Sequence, residues 1–216
     1  MATMTKDVKR SYDTTSRQQQ SAATRQRIVE AARGLMLERG YRATTIAAIA
    51  AEAGVNADSV YALVGRKPMV LRELIEQALS GTDREVVAED RQHVKALLAE
   101  PDQVKKFAIY ARAVSETHQR LAPLFLALRE ASSSEPEAQA VWKEISDRRA
   151  ANMRKLAKDV KDAGGLRPRL SIEQAGDVIW ATNSVDLFVM LTIERGWPTR
   201  RYERWLADTW CRLLLP

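Results

Sequence analysis

The sequence predicts an all-α protein, and three observations carry that prediction. Glycine is sparse, 9 in 216 residues. Apolar residues recur at three- and four-residue spacing along nearly the whole chain. The β-branched alternation that marks strands is rare, and no run reads as one. An apolar share of 45%, a charged share of 29% and a mean hydropathy of −0.34 supply both a core and a solvated surface.

Residues 1–20 are polar and rich in Gln, Ser and Thr, which predicts a mobile arm. Ser21 or Thr24 is placed to cap a first helix, with Ile28, Ala31, Ala32 and Leu35 on its apolar face and Gly40 at its end. A short second helix follows Thr44 and Thr45, with Ile46, Ile49, Ala50 and Ala53 at i, i+3, i+4 and i+7. Gly54-Val55 turns the chain, and Asn56 caps a very short third helix with Val60, Leu63 and Val64 inward. Gly65-Arg66-Lys67-Pro68 breaks it, Pro68 suiting the first turn of a fourth helix. Val70, Leu71, Leu74, Ile75 and Ala78 form that helix's apolar face, and Gly81 is its weak point. Further helices are expected at about 102–119, 121–133, 136–163, 171–194 and 199–214. Pro101, the Pro123 region, Ser132–Pro136, Gly164–Pro168 and Gly196-Trp197-Pro198 separate them. The expected organisation is an arm over 1–20, a small helical domain over 21–66 and a larger one over 67–216.

Charge is unevenly spread. Residues 1–68 carry 11 Lys/Arg against 6 Asp/Glu, and residues 69–216 carry 23 against 22, so nearly all of the net +6 lies in the first third. That placement favours a polyanionic partner for the N-terminal part. Cys211 is alone, which excludes an intrachain disulfide and fits a reducing compartment. The best apolar run, around Val178–Ile193, carries Asp186 and is too short to span a bilayer, so no membrane is expected. The N-terminus has basic residues but no apolar signal core, and a cytoplasmic, nucleoid-associated protein is expected. Phosphate-loop, dinucleotide, nucleophile-elbow and zinc-protease motifs are missing, and the one D/E-x-x-H, Asp90 to His93, makes no di-metal site. No catalytic residue, metal site or cofactor is expected.

The second and third helices, joined by Ala53-Gly54-Val55, have the lengths and turn of a helix-turn-helix. In such a unit the later helix enters the major groove while the earlier helix's N-terminus faces phosphate. Thr44 and Thr45 can offer hydroxyls and free N–H groups to phosphate, or serve as caps. Tyr61 projects opposite Val60 toward the DNA backbone, Lys67 opens the fourth helix as a phosphate partner, and both could instead pack. Asn56, Ala57, Asp58 and Ser59 form the tip that would meet base edges. Asp58 can accept from cytosine N4 or favour the helix N-terminus.

Thr44-Thr45, Ile49-Ala50, Ala53-Gly54-Val55, Tyr61, Gly65 and Lys67 resemble, in register, the DNA-binding domain of the TetR family of bacterial transcriptional regulators. Glu194-Arg195-Gly196-Trp197-Pro198 and Tyr202 to Thr209 resemble the last two helices of many members, which implies a homodimer through those helices. The chain departs from the family's pattern at Ala47, Ala57, Asp58 and Leu63, which leaves the tip few long donors. Electrostatic attraction is then expected from the arm and its neighbours, Lys6, Lys9, Arg10, Arg17 and Arg25. The resemblance also implies a C-terminal cavity for a small-molecule effector. Phe107, Tyr110, Val114, Trp142 and Trp180, with Met153 and Met190, have the size and spacing to line it or to be ordinary core. Asn183 and Asp186, polar and three apart in an apolar helix, can orient a ligand or form a polar seam. His118 and Arg129 can aim at a polar ligand. The resemblance implies a ligand-responsive regulator, most simply a repressor on a near-palindromic double-stranded DNA operator. The alternative is a dimeric small-molecule- or protein-binding module with a degenerate helix-turn-helix.

Overall fold

The structure is a computed structural model that describes residues 5–82 and 86–216, with side chains from Arg17 onward. It is all-α: ten α-helices, one 3-10 turn and one π-helical turn stand among the described residues, and none of these is in a strand. The chain divides into two compact units, Met1–Leu74 and Ile75–Pro216. Among the described residues no single helix is long and apolar enough to cross a membrane.

In the first unit, α1 (Thr5–Ala43) packs on α2 (Ile46–Ala53) and α3 (Ala57–Leu63). Ile28, Val29, Ala32, Leu35 and Met36 meet Ile49, Ala50, Ala53 and Val60 in a closed core. Gly40, at φ 80° and ψ 166°, interrupts α1 where the sequence ends the first helix. The start is different. Helix already runs through Ser21 and Thr24, so neither is a cap; Gln and Ala favour helix here and no Gly or Pro intervenes. Of the expected arm, residues 1–4 lie outside the described residues, as do the side chains of Lys6, Lys9 and Arg10.

Helix α4 (Lys67–Ser80) spans the boundary, its first half in one unit and its second in the other. Lys67 and Glu73, in its first half, are tied to Tyr41 and Arg25 of the first unit. Gly81 is not a bend within α4 but its left-handed end, at φ 70°, its N–H donating to the Gln77 carbonyl.

In the second unit, α6 (Gln103–Ser132) is the central helix, packed by α5 (Gln92–Ala99), α7 (Pro136–Asp162), α9 (Val185–Val189) and α10 (Thr199–Leu214). Helix α8 (Ile172–Thr182), started by the Ser171–Gln174 capping box, lies along α7. Trp210 is wholly buried, 5.0 Å from the Tyr110 ring and 5.9 Å from Phe107, with its indole N–H donating to Thr182 Oγ1 at 2.7 Å.

Three departures from the expected elements have local causes. Helix α6 runs through Pro123 without ending: the exposed ring faces solvent while Leu121, Ala122, Leu124 and Phe125 stay buried and hold the backbone in line. The helix expected over 171–194 splits at Asn183, because Ser184 caps a new helix through the Leu187 N–H; a π-helical turn then follows at Met190–Glu194. A 3-10 turn at Ala88–Asp90 and α5 fill a stretch to which the sequence assigned nothing.

Candidate DNA-reading face and effector cavity

The first unit builds its exposed tip from short-range bonds. Thr45 Oγ1 accepts from the Ala48 N–H at 3.1 Å, capping α2. Gly54 sits at φ 66° and closes that helix, and Val55 N–H returns to the Ala50 carbonyl at 2.9 Å. Two residues on, Asn56 Oδ1 accepts from both the backbone N–H and the hydroxyl of Ser59, each at 2.7 Å, and so starts α3. Only Val60 of α3 is buried; Asn56, Asp58 and Tyr61 are exposed, and Ala57 and Ser59 half-buried. Tyr61 stands half open with its phenol outward on the helix opposite Val60. Asp58 lies in the first turn, where a negative charge suits the helix N-terminus.

Three residues expected to serve DNA make bonds within the protein. Thr44 is buried, its hydroxyl donating to the Gly40 carbonyl at 2.8 Å. Lys67 donates to the Tyr41 carbonyl at 3.2 Å and sits 4.0 Å above the Tyr41 ring centroid, which leaves two of its three donors for an outside partner. Arg25 grips the Glu73 carboxylate in a fork at 3.0 and 2.7 Å and donates from Nε to the Leu63 carbonyl, at the end of α3. It orients α3 rather than reaching outward.

The second unit holds a cavity of about 320 Å³. Its apolar walls include Ile75, Leu79, Val114, Leu121, Phe125 and Ile145. Tyr110 and Asn183 bound it as expected: the Asn183 amide donates to the Tyr110 hydroxyl at 2.7 Å, and that hydroxyl donates to Met153 Sδ at 3.1 Å. Burial raises the Tyr110 phenol well above its ordinary value, so it remains protonated. Val114 lines the cavity, and so do Met153 and His118. His118 is buried, edge-on to Phe188 at 5.5 Å, and its Nδ1 has no partner. Burial, reinforced by the Arg149 charge, holds the imidazole down at about 3, so it is neutral.

Four expected ligand residues do not line this cavity. Phe107 is spent against Trp210. Trp142 packs 4.7 Å from Phe125 in the layer behind it. Trp180 lies at the surface under the Arg149 guanidinium, 4.7 Å from its ring centroid. Asp186 pairs with Arg129, because the break at Asn183 turns it off the Asn183 face. Helical spacing selects a face but does not tell the cavity side of that face from the packed side.

Polar groups that sequence reasoning passed over are as prominent. Buried Glu76 pairs with Arg148, and exposed Glu89 with Lys155. Arg149 also lines the cavity; burial lowers its affinity for a proton, its Nη2 donates to the Trp180 carbonyl, and its buried Nε has no partner. A signal for it existed. Val141, Ile145, Arg149 and Met153 recur every fourth residue, which places the arginine in an inward row. Among the described residues, no cluster of His, Cys, Asp and Glu could hold a metal ion.

Residues 28–63 match the family described as bacterial regulatory proteins, tetR family. No curated protein matches the chain. Among solved structures, the fatty acid degradation regulator FadR from Bacillus halodurans is similar in fold, with a TM-score of 0.69 at 18% identity, covering 87% of this chain and 94% of that one. NalD of Pseudomonas aeruginosa, the secondary repressor of the MexAB-OprM efflux pump, superposes with a TM-score of 0.68 at 21% identity, over 90% and 98% of the two chains. A transcriptional regulator from Saccharomonospora viridis, solved in complex with choline, gives 0.66 at 19% identity, over 89% and 97%.

Proposed function

We propose that this chain, which carries the tetR-family DNA-binding domain and shares the fold of that family's regulators, is a dimeric repressor that releases its operator when a small molecule fills the second unit's cavity. The observation that carries the reading is the α2–α3 unit. Its turn, caps and core are complete, and Asn56, Asp58 and Tyr61 stand exposed at and along α3. Two such units on a symmetric dimer would meet successive major grooves of a near-palindromic site. The dimer is assigned to the last two helices, where half-buried Trp197 and Trp205 stand 6.0 Å apart and Ile193 is exposed. The proposed division is an arm over 1–20, a DNA-reading domain over 21–66 and a sensing and dimerising domain over 67–216.

Helix α4 suits the role of connector. It gives Lys67 and Glu73 to the first unit, and Ile75, Glu76 and Leu79 to the cavity of the second. A ligand that fits only the arrangement unable to hold DNA shifts the population by its differential affinity; a ~100-fold preference gives about 2.7 kcal/mol of coupling. FadR, NalD and the choline-bound regulator support the regulatory reading as relatives in fold. Localisation follows as cytoplasmic, on the nucleoid. A gel-shift titration with DNA flanking the chain's own gene, against random competitor, tests the reading: retention at competitor excess is expected. The same affinity for random DNA would leave a dimeric binding module with a degenerate helix-turn-helix.

A further inference from the structure

Resting on the reading of the second unit's cavity as an effector site, the class of effector follows from its charges. Four cationic side chains, Arg91, Arg148, Arg149 and Lys155, line it against two carboxylates, Glu76 and Glu89, among the described residues. Both carboxylates are taken: Glu76 by Arg148 and Glu89 by Lys155. Arg149 has no carboxylate partner among the described residues; the nearby Asp186 is paired with Arg129. Its described bonds are to the carbonyl and ring of Trp180, and its Nε is buried without a partner. His118, only 5% exposed, also lines the cavity, and its Nδ1 has no partner among the described residues. A half-buried guanidinium without a paired carboxylate and a buried imidazole nitrogen without a partner are both costly, and an anion bound to both satisfies the two together.

We propose that the effector is a small organic carboxylate, its acid group held by Arg149 Nε and His118 Nδ1 and its apolar body laid against Val114, Leu121, Phe125 and Ile145. A planar guanidinium matches the two oxygens of a carboxylate, and the neutral imidazole donates through its one N–H. A cavity of about 320 Å³ has the volume of roughly ten waters, which admits an acid of about ten non-hydrogen atoms.

The test is calorimetric titration of the intact chain with octanoate, octan-1-ol and octylammonium, which share one apolar body and differ in charge. Octanoate is expected to bind at least tenfold more tightly than either of the others. In Arg149→Gln that preference collapses toward unity, while in Lys143→Gln, which removes a surface cation outside the cavity, it persists. Should Arg149→Gln fail to fold, the ranking of the three probes on the unmodified chain decides alone. Octanol or octylammonium binding as tightly as octanoate overturns the carboxylate assignment and leaves the effector cavity standing. Binding of none of the three overturns both. Neither result bears on DNA binding, which the gel shift measures separately.

Discussion

His118 and Tyr61 are opposite cases of a polar side chain without a hydrogen-bond partner among the described residues. His118 is shut in, so its neutral form is built into the fold, with a folded value near 3 against an ordinary 6.5. The unfolded chain therefore binds the proton more readily. The contribution of the neutral imidazole is fully present above pH 6.5 and is lost as pH falls from there toward 3, at up to about 1.4 kcal/mol per pH unit. Unfolding of the native chain and of His118→Gln, followed from pH 7 to pH 4, should show the stability gap moving in the variant's favour on acidification. A constant gap would contradict the buried, neutral state. Tyr61 is half open, its hydroxyl with no hydrogen bond to any of the described residues. Tyr61→Phe should leave stability within about 0.5 kcal/mol and weaken DNA binding similarly on all sequences. Lys67→Ala should do the reverse in emphasis, costing roughly 1–2 kcal/mol of stability through the lost Tyr41 contacts. Chemical denaturation with parallel DNA titration separates the two. Sequence pattern put Tyr61 on the surface and Asn183, Tyr110 and Val114 at the cavity, but did not foresee the bonds of Thr44 to Gly40 and of Arg25 to Glu73, because a residue's type announces what it can bond to and not which partner is nearer.

At the scale of elements, α3 is the most exposed to a single change. Seven residues form few internal bonds, and Asn56 supplies the cap that closes its first turn. Asn56→Ala should cost about 1 kcal/mol and loosen α3 selectively, read as faster amide exchange at Ser59 and Val60 than in the rest of the unit. Uniform exchange across the unit would deny α3 that dependence. Gly54 adds a second constraint, since at φ 66° a side chain costs about 1 kcal/mol or more. These short helices were legible because their signals are local: a cap, a glycine, a four-residue apolar step. The longer elements were legible as helices but not in their limits. Pro123 is a breaker in isolation, yet burial on both sides of it outweighs the one lost bond. Asn183 and Ser184 look like a polar interruption in a helix, but the Ser184 cap ends one helix and begins another. Helix α5 has only Leu97 buried, which leaves too thin an apolar stripe for periodicity to detect.

For the molecule as a whole, the uneven charge and the division into two units describe the same arrangement. The basic excess lies in residues 1–68, within the unit that ends at Leu74, while the unit with the cavity is close to neutral. Arg25 belongs to the Glu73 pair, so in the proposed reading the attraction to DNA falls to other cations such as Arg17 and Arg27 and to the N-terminal residues. Removing residues 1–20 should flatten the slope of log affinity against log salt, each lost phosphate contact lowering it by about 0.9. An unchanged slope would put the attraction elsewhere. The central claim is that α3 reads a defined sequence twice, once from each subunit of a dimer. Selection of binding sites from a random DNA pool by the full chain tests it most directly. Convergence on an inverted repeat, its half-sites about one helical turn or a multiple apart, is the predicted result; a pool that fails to converge after repeated rounds would contradict it.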